Sequence, residues 1–295
     1  MSDTEQVRGT LTRWAEAIGP VTLIGAVLFY FGYVSSRAQY EYFGVDVDVI
    51  GLGTQDYIMR SPQPLLVPLL TITLAGVCGL LIHLAVHRRL TATERRPTRA
   101  IRAAGATGVA LLGVAVVLLF AYGLIRDWVL YALVTPLLVI AGAGLIAYAW
   151  RLTELTAEPA TDDTGPGPTL RRSARLLLYL LLIAATLWTT ATVAQWSGRG
   201  LARDFAARPE HLPRVILDTK ERLYLRDGTV EESRLPPAED QEFRYRYRRL
   251  RLLVIGQDRM FLVPEVWSAS NSTLVVPIDD TVRVQFQYQN DNPGA

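Results

Sequence analysis

The stretch Phe29–Pro68, FYFGYVSSRAQYEYFGVDVDVIGLGTQDYIMRSPQPLLVP, ends one apolar segment and begins another across a polar and aromatic loop. The segment before the loop, residues 18–34, has no charged residue and, when continued to residue 36, is long enough to cross a hydrocarbon core of about 30 Å. Aromatic residues cluster at its far end, where a membrane–water interface favours them. The stretch therefore predicts a membrane span, an interfacial loop and a second span.

Within the loop, Val45–Val49 alternates apolar and acidic residues, which predicts a half-buried extended segment. Gly51 and Gly53 then interrupt the chain, and Thr54 is the predicted N-cap of a short helix with Asp56 in its first turn. Four loop acids are candidates for an acidic mouth that concentrates cations at the outer membrane face: Glu41, Asp46, Asp48 and Asp56. The alternative is a tight connection whose carboxylates only keep it in water.

Five apolar segments predict an α-helical transmembrane bundle, with spans at residues 18–36, 65–86, 104–125, 129–150 and 176–196. Pro68 is expected in the first turn of the second span, where proline is tolerated, and Pro136 is expected to kink the fourth. Small residues in the third and fourth spans favour close helix packing. The threonines of the fifth span, together with Gln195, either line a wet path or bond to helix carbonyls.

Arginines predict the orientation of the spans. Residues 88–102 hold six Arg against one acid and residues 151–175 hold four Arg, whereas the connections on the other side hold three. Because short basic loops stay cytoplasmic, residues 1–17 are predicted to be a cytoplasmic segment, 18–196 the transmembrane domain and 197–295 an extracytoplasmic domain. The predicted location is the plasma membrane, with the lipid bilayer as a partner, and Glu158–Pro168 is expected to be a flexible linker.

A cleaved signal peptide is the alternative for the first span. Arg8 and Arg13 would form its basic region, and Ser36-Arg37-Ala38 its cleavage site. Glu16 and the aromatic continuation argue against cleavage, and the orientation of everything downstream is the same in both cases.

The C-terminal residues predict a small all-β domain, either a sandwich or a barrel, after a short helix at 201–207. Strands are expected at 214–218, 222–225, 243–255, 260–263, 273–278 and 281–288, with a tight turn at 226–229. In the long strand, aromatic and basic residues alternate until the parity changes, which predicts a bulge at Arg248-Arg249.

The same strand carries five arginines that could grip an anionic ligand: Arg244, Arg246, Arg248, Arg249 and Arg251. The alternative is a solvated sheet face paired with acids, which is favoured by the balance of 15 basic and 15 acidic residues from residue 199 onward. Aromatic and basic residues also interleave in nucleic-acid-binding proteins, but a domain outside the cell is not expected to have that partner.

The chain lacks the sequence motifs of P-loop nucleotide binding, of nucleophile-elbow hydrolases and of zinc metalloproteases. His83, His87 and His211 do not combine with Cys78, the one cysteine, into a catalytic or metal-ligating set. No span has a charge near its centre, as ion and proton relays usually do. The chain is therefore expected to be no enzyme, with no catalytic residue, metal or cofactor.

Tyr42–Asp46, Gly51–Tyr57 and Arg60-Ser61 resemble a segment of uncharacterised multi-pass membrane proteins of actinobacteria. The resemblance covers residues 42–61 only, implies a bacterial plasma membrane and carries no activity. The favoured function is an integral membrane protein that displays a β domain for sensing or for binding a ligand or partner.

Two other functions stay open. The chain could be a subunit of an oligomeric channel or transporter with the acidic loop at its mouth, in which case a second copy is the expected partner. An extracytoplasmic enzyme would need a cleft that joins Asp218, Glu265 or His211. In the favoured function, another membrane protein is a candidate partner.

Overall fold

The computed structural model describes residues 3–92, 98–125, 127–156, 168–225, 228–237, 241–268 and 270–287. The helices are α1 (Asp3–Glu41), α2 (Val47–Ile50), α3 (Thr54–Arg60), α4 (Pro62–Ala92), α5 (Thr98–Phe120), α6 (Tyr122–Ile125), α7 (Tyr131–Thr156) and α8 (Pro168–Ala207). A 3₁₀ turn (Pro209–His211) leads to the strands β1 (Arg214–Thr219), β2 (Glu231–Arg234), β3 (Tyr245–Ile255), β4 (Arg259–Pro264), β5 (Leu274–Pro277) and β6 (Val282–Phe286).

Among the described residues, five helices are long and apolar enough to cross a membrane: Val21–Glu41, Pro62–Val86, Arg99–Phe120, Tyr131–Glu154 and Arg172–Ala207. The five predicted apolar helices are thus confirmed, with later or earlier ends than expected. Because α4 begins at Pro62, Pro68 lies inside the helix, and its predicted place in the first turn is wrong. The separate helix predicted at 201–207 is also wrong, since α8 continues through Gly198 and Gly200 to Ala207. The predicted linker Glu158–Pro168 lies outside the described residues except for Pro168, which is the first residue of α8.

The chain divides into two compact units. One unit contains residues 1–64 and 194–295, and the other contains residues 65–193. The sequence pattern instead divides the chain at residue 196, into a transmembrane part and a β part. The difference arises because the loop after α1 shares a buried core with the strands.

In the second unit, α5 and α7 approach each other at two glycines. A Cβ atom on Gly108 would lie 2.8 Å from the carbonyl oxygen of Gly142, and one on Gly142 would lie 2.8 Å from the carbonyl oxygen of Gly108. The predicted close packing of small residues is confirmed at this reciprocal contact.

A threonine of α8 bonds to a carbonyl that a proline leaves without its helical donor. Pro136 has no N–H, so the carbonyl oxygen of Ala132 lacks its usual partner within α7. Thr192 Oγ1 lies 3.1 Å from this oxygen and also 3.1 Å from that of Trp188 in its own helix. Three other threonines donate to carbonyls four residues earlier: Thr186, Thr189 and Thr190. The hydrogen bonds of these four threonines agree with helix bonding, the second of the two roles expected for the threonines.

In the first unit, the loop after α1 contains two short helices. Asp46 Oδ1 accepts a hydrogen bond from the Asp48 backbone N–H at 3.1 Å and so caps α2. Val47 and Ile50 are buried at helical spacing. The extended segment predicted at Val45–Val49 is therefore wrong, because the cap and the burial of every third residue override the local alternation.

The next helix, α3, has Gly53 as its N-cap instead of the predicted Thr54. Asp56 Oδ2 accepts the Gly53 backbone N–H at 2.8 Å, so the predicted carboxylate in the first turn is confirmed. Ser61 ends α3, and Pro62 begins α4 directly after it.

The strands form one antiparallel sheet with the order β5-β4-β3-β1-β6, and β2 pairs with β3 beside this path. Val215 pairs with Leu250 and Leu217 with Tyr247, so that two residues of β3 lie opposite Ile216. One of them, Arg249, has a φ of 62°. The predicted bulge at Arg248-Arg249 is confirmed.

Five of the six predicted strands form, at somewhat different bounds. The strand predicted at 222–225 is wrong: Tyr224 has a φ of 49°, and Leu223 and Leu225 pack as a loop against the core. Strand β2 was not predicted because its sequence, Glu231–Arg234, is fully exposed and carries no apolar alternation. The predicted turn at 226–229 and the end of the last predicted strand lie partly outside the described residues.

Each face of the sheet has its own apolar cluster. The first cluster, the sheet core, consists of Val215, Leu217, Tyr247, Leu250, Met260, Leu262 and Val276. The second cluster, the shared core, draws on the sheet, on the loop after α1 and on the ends of α1 and α8: Tyr40, Phe43, Val45, Val47, Ile50, Tyr57, Ala202, Leu212, Leu253, Val254, Phe261 and Val263. The strands are therefore packed directly on the helix ends and are not a separate domain on a tether.

Three glycines allow the parts of the first unit to approach each other. A Cβ on Gly32 in α1 would overlap the carbonyl oxygen of Tyr57 in α3, and a Cβ on Gly198 in α8 would overlap that of Ser35 in α1. A Cβ on Gly256, in the β3–β4 turn, would overlap the carbonyl oxygen of Ile50 in α2. Backbone atoms cannot move aside as side-chain ends do, so each contact requires glycine.

We expect Gly32→Ala and Gly198→Ala each to lower the free energy of unfolding of the first unit by about 2 kcal/mol or more, because an added methyl group overpacks the contact. Thermal unfolding of the purified protein in detergent measures this effect. Gly25→Ala is the matched control in the same helix, since a Cβ there meets nothing within 4 Å. Equal stability of all three variants would contradict the proposed role of the close contacts.

Candidate functional site

A groove of about 1080 Å³ lies in the first unit, between the loop after α1, the end of α8 and the segment that leads into β5. Its apolar lining includes Tyr42, Phe43, Val49, Phe261, Trp267 and Val275. Its polar lining includes Glu41, Asp46, Arg203, Ser268, Asn271 and Ser272. The groove thus combines an aromatic surface with a few polar groups, as binding sites for small molecules usually do.

Specific contacts hold the walls of the groove in place. Thr273 Oγ1 donates to the carbonyl oxygen of Phe43 at 2.7 Å and ties the start of β5 to the loop after α1. The rings of Phe43 and Trp267 pack edge to face with their centroids 5.0 Å apart. The Ser268 backbone N–H donates to Asn271 Oδ1 at 2.5 Å and closes the turn before β5. These contacts hold the loop after α1 against the segment that leads into β5.

The four acids that the sequence singles out each have a local partner. Glu41 forms an ion pair with Arg37 at 2.6 Å, in the last turn of α1. Asp46 caps α2 by accepting the backbone N–H of Asp48, and Asp56 accepts that of Gly53 at the start of α3. Asp48 Oδ2 accepts a hydrogen bond from the Tyr33 hydroxyl at 3.3 Å. Only Glu41 and Asp46 of the four line the groove, so the structure does not bring the set together there.

The five predicted arginines lie in β3 or just before it, away from the groove lining. Arg246 binds both carboxylate oxygens of Asp218, at 2.7 and 3.0 Å. Arg249 and Arg251 bind Glu265, at 3.3 and 2.5 Å. The remaining two, Arg244 and Arg248, are exposed. Three of the five are thus paired with acids, as in the alternative given for this strand.

Among the charged groups of the described residues, Asp218 is the most buried, with no exposed side-chain surface. Burial alone would raise its pKa, but hydrogen bonds and charge from Arg246 and Arg283 outweigh burial, and the pKa falls below its ordinary value. The pKa of Glu265 is lowered in the same way: burial would raise it, and Arg251 and Arg214 outweigh that effect. Both carboxylates therefore stay charged and act as anchors for arginines.

The enzyme alternative needs a cleft that joins Asp218, Glu265 or His211. None of these three residues lines the groove. His211 Nδ1 lies 3.1 Å from a carboxylate oxygen of Asp204, near the end of α8. Within the described residues, no group of three or more His, Cys, Asp or Glu side chains could hold a metal ion.

The sequence pattern did not single out the groove residue Arg203 or the aromatic wall formed with Trp267. Arg199 and Arg203 lie one helical turn apart, just beyond the fifth predicted span. This spacing could have indicated a basic helix face next to the membrane. Trp267 lies more than 200 residues from Phe43 in the chain, so its part in the site depends on tertiary packing.

Protonation of Asp218 and Glu265 should destabilise the first unit at acidic pH. Because both pKa values are lower in the folded protein, the stabilisation is complete above the ordinary values of 3.8 and 4.5 and is lost as pH falls through the lower folded values. We expect Asp218→Asn to cost about 3 kcal/mol at neutral pH, since it leaves Arg246 without its partner, and to flatten the acid-induced loss of stability. Unfolding measured from pH 7 to pH 3 tests both points.

The exposed Asp280 provides the control for this substitution, because its carboxylate lies 3.6 Å from Lys220 and is 90% exposed. Asp280→Asn should leave both the stability and its pH dependence nearly unchanged. An Asp218→Asn protein as stable as the parent would contradict the anchoring role of this carboxylate.

Residues 42–61 form one wall of the groove and much of the shared core. No protein-family model, no curated protein and no solved structure matches the chain.

Proposed function

We propose that this chain is a five-span protein of a bacterial plasma membrane that binds a ligand through an extracytoplasmic groove and relays its occupancy to the membrane helices. In this proposal the N-terminus is cytoplasmic, the five apolar helices form a transmembrane bundle and the β sheet lies outside. The orientation rests on the arginine-rich loops at 88–102 and 151–175. The protein acts as a sensor or receptor and not as an enzyme.

The observation that carries this proposal is the shared core. Phe43 and Phe261 belong to the groove and to the shared core, which also contains Tyr40 of α1 and Ala202 of α8. Close-packed interiors change between discrete arrangements and do not deform smoothly. A ligand that displaces Phe43 therefore acts on the ends of two candidate spans.

We further propose that the sheet is a partly closed barrel and not a sandwich. Val276 of β5 lies in the sheet core, and Val282 and Val284 of β6 pack against that core, although β5 and β6 are at opposite ends of the strand order. A sheet whose two edges reach one cluster is curled around it. The curvature leaves the outer face near β4 and β5 free to form the floor of the groove.

The channel alternative requires free carboxylates at a mouth and copies arranged around an axis. In the loop after α1, one oxygen of Asp46 and one of Asp56 accept a backbone N–H at the start of a helix, and Glu41 is paired with Arg37. The threonines of α8 give little support to a wet path, because four of them bond to helix carbonyls. A ligand-binding role requires neither free carboxylates at a mouth nor copies arranged around an axis.

Labelling of single cysteines tests the orientation. In a Cys78→Ser background, which has no cysteine, Ser272→Cys places a thiol in the groove lining and Ser173→Cys places one in the predicted inner loop. A membrane-impermeant maleimide should label position 272 in intact cells and position 173 only after lysis. The reverse pattern would overturn the proposed topology.

Native mass spectrometry of gently extracted protein, followed by ion-flux assays in liposomes, tests the binding role against the channel. We expect a monomer or a complex with one different protein, and no flux above that of empty liposomes. A ring of several copies that conducts ions, and that loses flux in Glu41→Gln, would overturn the proposed function. Arg244→Gln, which changes an exposed charge outside the groove, is the control for that substitution.

A further inference from the structure

Two helices that contain candidate spans, α1 and α8, end beside the groove. The span Val21–Glu41 has 21 residues, which corresponds to about 31 Å of helix and so to the thickness of the hydrocarbon core. Its last residue, Glu41, is part of the groove lining. Arg203 comes from the last two turns of α8, which end beside the same groove. In the proposed membrane orientation, the groove therefore opens next to the lipid headgroups.

The apolar surface of the groove remains open to a ligand. Val49 and Val275 are 55% and 46% exposed, and Tyr42 is 41% exposed. These side chains lie beside the buried ring of Phe261, which forms part of the same lining. An exposed apolar surface at a bilayer boundary favours an acyl chain over a soluble polar molecule.

Arg203 is the basic residue among the side chains that line this groove, and its charge is the one that can pair with an anion. Glu41 is paired with Arg37, and Asp46 caps α2. Asp204, next to Arg203 in the chain, is held by Arg208 and His211. Arg203 is exposed, and a guanidinium group matches the geometry of a phosphate.

A peptide strand added to β5 is a poorer occupant. The Ile278 N–H donates to the carbonyl oxygen of Asp258 in the β3–β4 turn. Because the N–H groups of a strand alternate between its two sides, those of residues 274 and 276 also face β4, whereas residues 275 and 277 are directed outward. Residue 277 is proline and has no N–H to donate. The outer edge of this short strand therefore offers little for strand pairing.

We infer that the groove binds one anionic phospholipid from the adjoining leaflet, with its phosphate at Arg203 and an acyl chain against Tyr42, Val49 and Val275. The inference rests on the proposed function, whose ligand it names. The shared core then makes the protein responsive to the anionic lipid content of that leaflet.

Fluorescence quenching in nanodiscs tests this inference. A nitrobenzoxadiazole label on Ser272→Cys, in the Cys78→Ser background, reports from the groove, and the same label on the exposed Ser233→Cys reports from β2. The discs contain phosphatidylcholine and an increasing fraction of a spin-labelled lipid. This lipid is either phosphatidylglycerol or phosphatidylcholine, and in both cases the spin label is near the carbonyl end of the acyl chain. We expect saturable quenching at position 272 by the anionic lipid, and none of comparable size by the neutral lipid or at position 233.

Arg203→Gln should raise the anionic-lipid fraction at half-maximal quenching about fivefold, whereas Arg244→Gln should leave it unchanged. Val275→Trp, which fills the groove, should abolish the saturable component while the discs keep their folded protein. Equal quenching by both lipids, or quenching that does not respond to Arg203→Gln, would overturn the lipid inference.

The two proposals fail in different ways. If a soluble peptide or saccharide changes the fluorescence at position 272 and the lipids do not, the lipid inference is wrong and the binding role stands. If the protein forms a conducting ring, the binding role itself is wrong, whatever the quenching.

Discussion

The contact between the loop after α1 and the outer face of the sheet is the interaction on which the rest of the first unit depends. It buries Val47, Ile50 and Tyr57 against strands that follow them by about 200 residues in the chain. Glycines at positions 32, 198 and 256 bring the backbones close enough for this packing. Without it, the sheet would lose the apolar cover of one face, and the loop would have no core of its own.

Ion pairs also stabilise the sheet and its contact with the segment after α8. Asp218 and Glu265 each gather arginines from different strands, and Arg251, which is 4% exposed, also donates to the Leu212 carbonyl oxygen at 3.0 Å. Asp218 and Arg251 are thus paired with opposite charges, which is the condition under which buried charges are tolerated, and of the Arg251 side-chain nitrogens only Nε has no hydrogen-bond partner among the described residues. Arg251 thereby joins β3 to the segment after α8, and pairing with Asp218 or Glu265 gives three of the five arginines at 244–251 a structural role.

The sequence predicted the features that depend on local pattern. Five apolar helices, five of the strands and the bulge at Arg248-Arg249 follow from hydrophobic length and from alternation along the chain. It did not predict that Val45–Val49 would cap and form a helix, because burial against a distant sheet decided that conformation. The groove was missed for the same reason: Phe43, Arg203 and Trp267 come from three separate segments, and only their packing makes them neighbours.

A binding domain that is only displayed can be joined to its anchoring helices by a linker, without a core shared with them. In the first unit, α8 instead runs unbroken to Ala207, and Ala202 is fully buried in the shared core. The groove takes its walls from both helix ends as well as from the sheet. The proposed relay requires a ligand that binds one packing of these elements more tightly than another. A ligand with equal affinity for both states would not change the equilibrium between them. The rigid mounting of the sheet on the helices is the physical reason to expect a sensor and not a passive anchor.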